Sequence, residues 1–310
     1  MGRGQGGAGG RRPDFFLVGA PKCGTTWLHV SLGRHPDVFL AAKEETNHFA
    51  TDLLREGDPW RSREAWLELF RGARGEKRVG ESSVFHLFSR EAAANLHAFD
   101  PGARILVLLR NPVDWVASYH SQMVWNGDED LLDLGQALAA EEERQRGERV
   151  PARLRFPERL HYGRVARFSE QLERYLAHFG REQVRVILHD DLARDPARVY
   201  RETLEFLEVD PEFRPPFEVV NPNRAVRSPR VGEWLRRPPA WLARPTTALL
   251  PRALRTALRR GLRRWNSRVA SRDPLPPELR RALAERFRPE VLRLAELLGR
   301  DLSGWLGPGA

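Results

Sequence analysis

The chain has 310 residues, a formal net charge of +9 and a hydrophobic content of 41%, which is enough to form a core. Its single cysteine excludes an internal disulfide framework, and no apolar run reaches the roughly 18 residues expected of a membrane-spanning helix. Strand-like apolar runs alternate with helical patterns, which predicts an α/β fold of one domain with a central parallel sheet flanked by helices. We expect a flexible Gly/Arg-rich tail over residues 1–13. Because this tail has no apolar leader, we also expect a cytoplasmic location.

The first predicted elements are a strand, a glycine turn and a helix start within residues 15–32, FFLVGAPKCGTTWLHVSL. A helix N-terminus has free backbone N–H groups and the positive end of the helix dipole, so such a turn can bind an anion. Gly24 lets the backbone approach a phosphate, and Lys22 adds a positive charge. Only three of the 51 basic residues are lysines, so a lysine here indicates a need for a compact ammonium group. We therefore predict a nucleotide-phosphate site that consists of Lys22, Cys23, Gly24, Thr25, Thr26 and Trp27.

The remaining elements are predicted from hydrophobic spacing and from turn residues. Strands are expected at Val38–Leu40, Val79–Ser83, Ile105–Leu109 and Val184–Leu188. Helices are expected within residues 60–72, 131–146, 164–179, 196–207 and 277–298, the last broken or kinked at Pro289. Many prolines in residues 213–240 indicate a long ordered loop or lid.

A second anion site is predicted where the strand Ile105–Leu109 ends at Arg110. Asn111 is a good helix N-cap and Pro112 a good first helical residue, so a helix begins there. Ser118 lies seven residues after Asn111, about two helical turns along, where it can bind the same anion as Arg110. Nucleotide hydrolases usually end such a strand with an aspartate that holds Mg²⁺, whereas this chain has arginine. We predict no metal.

The segment P-K-x-G-T-T-W-L, residues 21–28, resembles the 5′-phosphosulfate loop of sulfotransferases that use 3′-phosphoadenosine 5′-phosphosulfate (PAPS). The segment from Arg110 to Ser118 resembles their R-[ND]-P-x(5)-S motif, which implies that these two residues bind the 3′-phosphate. Similarity to bacterial and carbohydrate/heparan-type members continues to about Leu306, so the resemblance implies one sulfotransferase domain over residues 14–306 with a P-loop nucleotide-hydrolase-like fold. It also implies PAPS as co-substrate and the desulfated nucleotide PAP as product. In the later loop VVNPNRAVRSPR, the resemblance selects Arg227 as a further donor-binding residue.

The resemblance implies in-line transfer of a sulfuryl group to an acceptor hydroxyl, with a glutamate as general base. Many members carry this glutamate in K-E-x-x-F-F; here counting back from Phe49 selects Glu45, whereas counting forward from His35 selects Glu44. Members with a histidine base leave His86 as a third candidate.

The predicted acceptor site includes His48, Ser82 and Ser83. Ser82 stands where glycosaminoglycan members have a lysine, and Val84 replaces the usual proline. The acceptor is therefore left open among carbohydrates, lipids and secondary metabolites.

Two other functions fit parts of the pattern. A P-loop kinase or NTPase would need a lysine after the second glycine and a Mg²⁺-binding aspartate, and the sequence has neither at those positions. A non-catalytic nucleotide- or polyanion-binding protein would use the many arginines of the C-terminal half, which either bind an anionic partner or reflect coding bias. We predict no specific nucleic acid partner, and the sequence leaves the oligomeric state open.

Overall fold

The computed structural model describes residues 11–151, 154, 156–216, 224–226, 261–262, 265, 267–269 and 274–307. The chain divides into two compact units. The first contains Met1–Val116, Gly163–Val220 and Arg281–Ala310, and the second contains Ala117–Tyr162 and Asn221–Arg280.

The first unit contains a five-stranded, all-parallel sheet with the strand order β2-β3-β1-β4-β5. The strands are β1 (Phe15–Gly19), β2 (Val38–Leu40), β3 (Arg78–Ser82), β4 (Arg104–Leu109) and β5 (Val184–Leu188). All five residues of β1 are buried, as expected for a central strand that is covered on both faces. The predicted parallel α/β sheet flanked by helices is therefore confirmed.

Eleven α-helices lie entirely within the described residues, together with five short 3-10 helices. The α-helices are α1 (Thr25–Leu32), α2 (Arg63–Leu67), α3 (Ala92–Phe99), α4 (Pro112–Asn126), α5 (Leu134–Ala139), α6 (Glu141–Gln145), α7 (Tyr162–Val165), α8 (Phe168–His178), α9 (His189–Arg194), α10 (Pro196–Leu207) and α11 (Pro277–Leu298). Each of the helices predicted within residues 60–72, 131–146 and 164–179 is divided into shorter segments.

The last helix was predicted to be broken or kinked at Pro289; it is not broken there, because α11 continues through this residue. Its buried side chains lie on both sides of the proline, Phe287 before it and Val291 after it. Packing on both sides can offset the helical hydrogen bond that proline removes.

The strand order brings three chain segments to one edge of the sheet. β1 lies between β3 and β4, and Leu17 is paired with Ser82 on one side and with Leu106 on the other. Because all three strands are parallel, the turns that follow them leave at the same carboxyl edge. Ligands of open α/β sheets bind outside this edge.

The second unit is stabilised by a buried ion pair. Arg144 donates two hydrogen bonds of 2.7 Å to the carboxylate of Glu129, which also accepts a bond of 2.7 Å from the Tyr162 hydroxyl. Both side chains of the ion pair are fully buried, so loss of one partner would leave a buried charge.

The second unit also contains an antiparallel pair of short strands, β6 (Arg224–Val226) and β7 (Ser267–Val269). Residues 213–240 were predicted to form a loop; β6 lies within them, while residues 217–223 and 227–240 lie outside the described part of the chain. None of the described helices is both long and apolar enough to cross a membrane.

Candidate active site

The turn between β1 and α1 has the backbone geometry that an anion site needs. Lys22 and Gly24 both have positive φ angles, 64° and 97°. Gly24 is the N-cap of α1 and has no side chain to cap the helix, so the N-terminal N–H groups face the turn without a side-chain cap from this position. A Cβ atom on Gly24 would lie 2.6 Å from Cδ2 of Leu192, so a larger residue would displace this side chain and would also strain the backbone at a φ of 97°.

Hydrogen bonds hold this turn against β4 and α4. The Ala20 N–H donates to the Leu108 carbonyl (2.7 Å), and the indole N–H of Trp115 donates to the Pro21 carbonyl (2.6 Å). The partners of the turn in these two bonds, Leu108 on β4 and Trp115 on α4, belong to regular elements. They therefore hold the backbone of the turn that carries Lys22.

Cys23 is fully buried beneath the turn. Burial raises the pKa of its thiol far above the usual range, although the positive charges of Arg110 and Lys22 act in the opposite direction. The thiol is therefore protonated and fills space.

Arg110 follows β4 directly, as the sequence predicted. The next residue, Asn111, accepts the Val113 N–H through Oδ1 (2.9 Å) and donates through Nδ2 to the Trp305 carbonyl (2.9 Å). These bonds fix the end of the strand and the start of α4. Ser118 is buried on α4 but belongs to the second unit. That Ser118 and Arg110 bind the same anion therefore stays a prediction. Arg227 lies outside the described residues.

Glu45 lies beside the phosphate turn. Its N–H donates to the Ser82 carbonyl (2.9 Å), and its Oε1 accepts the Val84 N–H at 3.5 Å. The carbonyl oxygen of Val84 in turn lies so close to Gly19 that a Cβ there would be 2.5 Å from it. One residue, Val84, therefore separates the carboxylate from the turn. Glu45 also has a φ of 62°, a conformation that costs free energy in a non-glycine residue and recurs at functional sites.

Glu44 contacts a histidine that the sequence reasoning missed. Its Oε1 lies 4.0 Å from Nε2 of His29, and Nδ1 of His29 lies 2.9 Å from Oγ of Ser82. Burial lowers the pKa of His29, and the nearby Glu44 opposes this effect only in part. The imidazole is therefore neutral near pH 7 and connects α1 to the end of β3.

His86, the third candidate base, is fully buried, and its Nε2 accepts the Phe49 N–H at 3.4 Å. His48 donates from Nδ1 to the Trp60 carbonyl (2.6 Å), and its ring stacks on Trp66. Nε2 of His86 and Nδ1 of His48 are thus already hydrogen-bonded within the protein, so neither nitrogen is available to the hydroxyl of an acceptor substrate.

Ser82 and Ser83 were predicted to bind the acceptor. Ser82 is bonded to His29, whereas Ser83 is completely buried and donates its hydroxyl to Glu81 (2.5 Å). Ser83 lies one residue beyond the end of β3, and both serines are buried. Their contact with an acceptor stays a prediction.

Among the residues that the structure describes, no cluster of three or more His, Cys, Asp and Glu side chains could hold a metal ion. Independence of metal stays a prediction.

Comparison with known proteins identifies relatives of this arrangement. The sequence model of the family described as "Sulfotransferase domain" matches residues 12–223. The solved structure of a sulfotransferase from Alicyclobacillus acidocaldarius is 33% identical, covers 95% of this chain and 99% of its own, and superposes with a TM-score of 0.71.

Two curated relatives are more distant. The bifunctional heparan sulfate N-deacetylase/N-sulfotransferase 1 of Caenorhabditis briggsae is 25% identical over 220 residues, which are 66% of this chain and 23% of that protein. The membrane-associated sulfotransferase kil1 of Dictyostelium discoideum is 28% identical over 114 residues, which are 36% of this chain and 24% of that protein. The matches thus span about a quarter of these curated relatives.

Proposed function

Because the chain belongs to the sulfotransferase domain family, we propose that it transfers a sulfuryl group from PAPS to an acceptor hydroxyl. The proposed domain covers residues 14–306, and the acceptor is a hydroxyl of a carbohydrate, lipid or secondary metabolite. A cytoplasmic location stays a prediction from the sequence.

One observation carries this proposal. Lys22 lies in the turn directly before a helix N-terminus that Gly24 leaves without a side-chain cap, and Arg110 follows β4, the strand that pairs with β1. Two cations and a helix N-terminus fit a donor with anionic groups at both ends. We assign the 5′-phosphosulfate to Lys22, Thr25, Thr26 and the α1 N–H groups, and the 3′-phosphate to Arg110 together with Ser118 and Arg227.

The proposed reaction needs one proton acceptor and one stabilised leaving group. Glu45 accepts the proton of the acceptor hydroxyl, and the acceptor oxygen forms a bond to sulfur. The bond from sulfur to the 5′-phosphate oxygen breaks, and its electron pair leaves on PAP. Lys22 and the α1 N–H groups stabilise that developing charge, because they are already oriented in the turn.

Glu45 is preferred to Glu44 because of the contacts that each makes. Its carboxylate accepts the Val84 N–H next to Gly19, whereas Glu44 lies beside His29. His86 is disfavoured because it is fully buried.

The assignment is tested with Glu45→Gln and, as the matched control, Glu44→Gln. PAP affinity is measured by calorimetry, and PAP formation from PAPS is measured with a panel of carbohydrate and phenolic acceptors. We expect Glu45→Gln to lose at least about a hundredfold in kcat, the usual contribution of a general base, with PAP affinity unchanged. Full turnover in Glu45→Gln together with a loss in Glu44→Gln would transfer the role to Glu44.

A further inference from the structure

Glu81 is a carboxylate buried in the sheet. It lies on β3 between β1 and β2, and none of its side chain is exposed. Its Oε1 accepts hydrogen bonds from the hydroxyls of Thr46 (2.9 Å) and Ser83 (2.5 Å), and its Oε2 lies 3.5 Å from Nδ1 of His86. In the described part of the chain no arginine or lysine pairs with it. A buried carboxylate without a cation is costly, so its presence needs a reason.

The three side chains that surround Glu81 hold three consecutive amides of the loop that follows Glu45. The Asn47 N–H donates to Oγ of Ser83 (3.0 Å), the His48 N–H to Oγ1 of Thr46 (3.4 Å) and the Phe49 N–H to Nε2 of His86 (3.4 Å). Two of these amides are thus connected to the carboxylate through a hydrogen-bonded side chain, Ser83 or Thr46, and the third through His86, which lies 3.5 Å from it. The loop of residues 45–49 has no helical or strand hydrogen bonds of its own, so these three bonds define its path together with those from the Glu45 N–H to Ser82 and from Asn95 to the Phe49 carbonyl.

We propose that Glu81 is a positioning residue that holds the loop carrying Glu45, through Ser83, Thr46 and His86. The proposal rests on the proposed function, in which Glu45 is the general base. Glu81 touches neither donor nor acceptor in this account. It sets the geometry of the base through the loop backbone.

The protonation state of Glu81 determines how many of these bonds can form together. Because Nε2 of His86 accepts the Phe49 N–H, the imidazole proton lies on Nδ1, which faces Oε2 of Glu81 at 3.5 Å without a hydrogen bond, so that the negative charge of an ionised Glu81 favours this tautomer. When Glu81 takes up a proton on Oε2, this proton can be donated to His86 only if the imidazole proton moves to Nε2. The Phe49 N–H then loses its acceptor. The ionised form therefore holds the loop more completely.

The charged and titratable groups around the pair support a change near neutral pH. Burial raises the pKa of Glu81 to about 7, the hydrogen bonds from Ser83 and Thr46 lower it, and the negative charge of Glu44 raises it. Burial lowers the pKa of His86 to about 3, and His48 adds to this effect, so His86 stays neutral. From α8, the Tyr175 hydroxyl also interacts electrostatically with Glu81, but its pKa lies well above its usual value and it remains neutral.

Hydrogen exchange of the loop amides tests the proposal without turnover. In the 310-residue chain, corrected for intrinsic exchange, we expect protection of residues 47–49 to increase several-fold from pH 6 to pH 8. This expectation concerns local opening that leaves Glu81 buried, whereas the contribution of Glu81 to the free energy of global unfolding decreases up to pH 7. Glu81→Gln retains an oxygen acceptor for Thr46 and Ser83 but does not ionise, so its protection should not change with pH. Thr46→Val removes one donor to the carboxylate, so the midpoint should move to higher pH.

A matched control is Glu290→Gln, because Glu290 also accepts hydrogen bonds from a serine hydroxyl and amide, those of Ser169, in the first unit. It should leave the pH dependence of hydrogen exchange at residues 47–49 as in the wild type.

In kinetic assays of Glu81→Gln, the decrease of kcat below about pH 7 that is expected for the wild type should be lost, with the KM for PAPS unchanged. A wild-type exchange profile without a step near pH 7, or an unchanged step in Glu81→Gln, would overturn the proposal. Failure of the proposed function can be told apart from failure of this proposal. If the chain did not bind PAP, the proposed function would be wrong, but the exchange of residues 47–49 would still change with pH as described.

Discussion

Nδ1 of His29 lies 2.9 Å from Oγ of Ser82. This contact joins α1, which begins at the phosphate turn, to the end of β3, where the acceptor is expected. The Ser82 carbonyl also accepts the N–H of Glu45, so His29, Ser82 and the candidate base form one connected group. A change at His29 should therefore affect the acceptor side of the site more than the donor side.

Replacement of His29 by leucine removes the hydrogen bond to Ser82, and the buried Ser82 hydroxyl then lacks this partner. Loss of one such bond costs about 1–1.5 kcal/mol, so we expect kcat/KM for the acceptor to fall about tenfold, with PAP affinity within threefold of wild type. Steady-state kinetics and PAP calorimetry provide the two measurements. His178→Leu, at an exposed histidine of α8, is the control and should change neither. An equal loss in PAP affinity would place His29 at the donor site instead.

The second prediction concerns the two glycines Gly24 and Gly57, which both have positive φ angles, 97° and 78°. A Cβ atom on Gly24 would lie 2.6 Å from Cδ2 of Leu192, whereas a Cβ on Gly57 has no atom within 4 Å. Gly→Ala at either position should cost about 1 kcal/mol of stability because of the backbone conformation. Only Gly24→Ala should also lose PAP affinity, because its Cβ displaces the Leu192 side chain next to the turn that is proposed to bind the donor. Equal PAP affinity in the two variants would contradict the role of this turn.

The third prediction is the pH dependence of stability. The pKa of Glu81 in the native state, about 7, is above its usual 4.5, so this group favours folding at low pH and its contribution decreases as pH rises from 4.5 to 7. The pKa of His86, about 3, is below its usual 6.5, so its contribution makes stability increase from pH 3 to 6.5. Each slope is about 1.4 kcal/mol per pH unit, and the two oppose each other between pH 4.5 and 6.5.

Single substitutions should reveal each slope by itself. In urea unfolding at a series of pH values, Glu81→Gln should gain stability, relative to wild type, as pH rises through 4.5 to 7. His86→Gln should lose stability, relative to wild type, as pH rises through 3 to 6.5. Variant curves that run parallel to the wild-type curve would contradict the shifted pKa values.

The strands and the phosphate turn could be predicted from the sequence because their signals are local. An apolar run such as Ile105–Leu109 has few alternatives to a buried strand, and Asn111 with Pro112 marks the start of α4. Gly24 and Lys22 lie in the turn between β1 and α1, where the positive φ angle of residue 24 favours glycine. In each case the residues that determine the structure are neighbours in the chain.

The role of His29 could not be predicted in this way, because its contact depends on the strand order. Only the order β2-β3-β1 brings Ser82 beside the helix that follows β1. The same order places β3 between β1 and β2, where the side chain of Glu81 is fully buried. Helix α11 likewise continues through Pro289 because of packing that no local pattern encodes.

Calorimetric titration with PAP, beside ATP with Mg²⁺, tests the central claim most directly. We expect PAP to bind in the presence of EDTA, and we expect this affinity to fall sharply in Arg110→Ala and in Lys22→Ala. Exposed Arg201→Ala on α10, whose partners are surface carboxylates, is the control and should bind PAP as the wild type does. Preference for ATP with Mg²⁺, or PAP affinity that is unchanged in Arg110→Ala, would contradict the account.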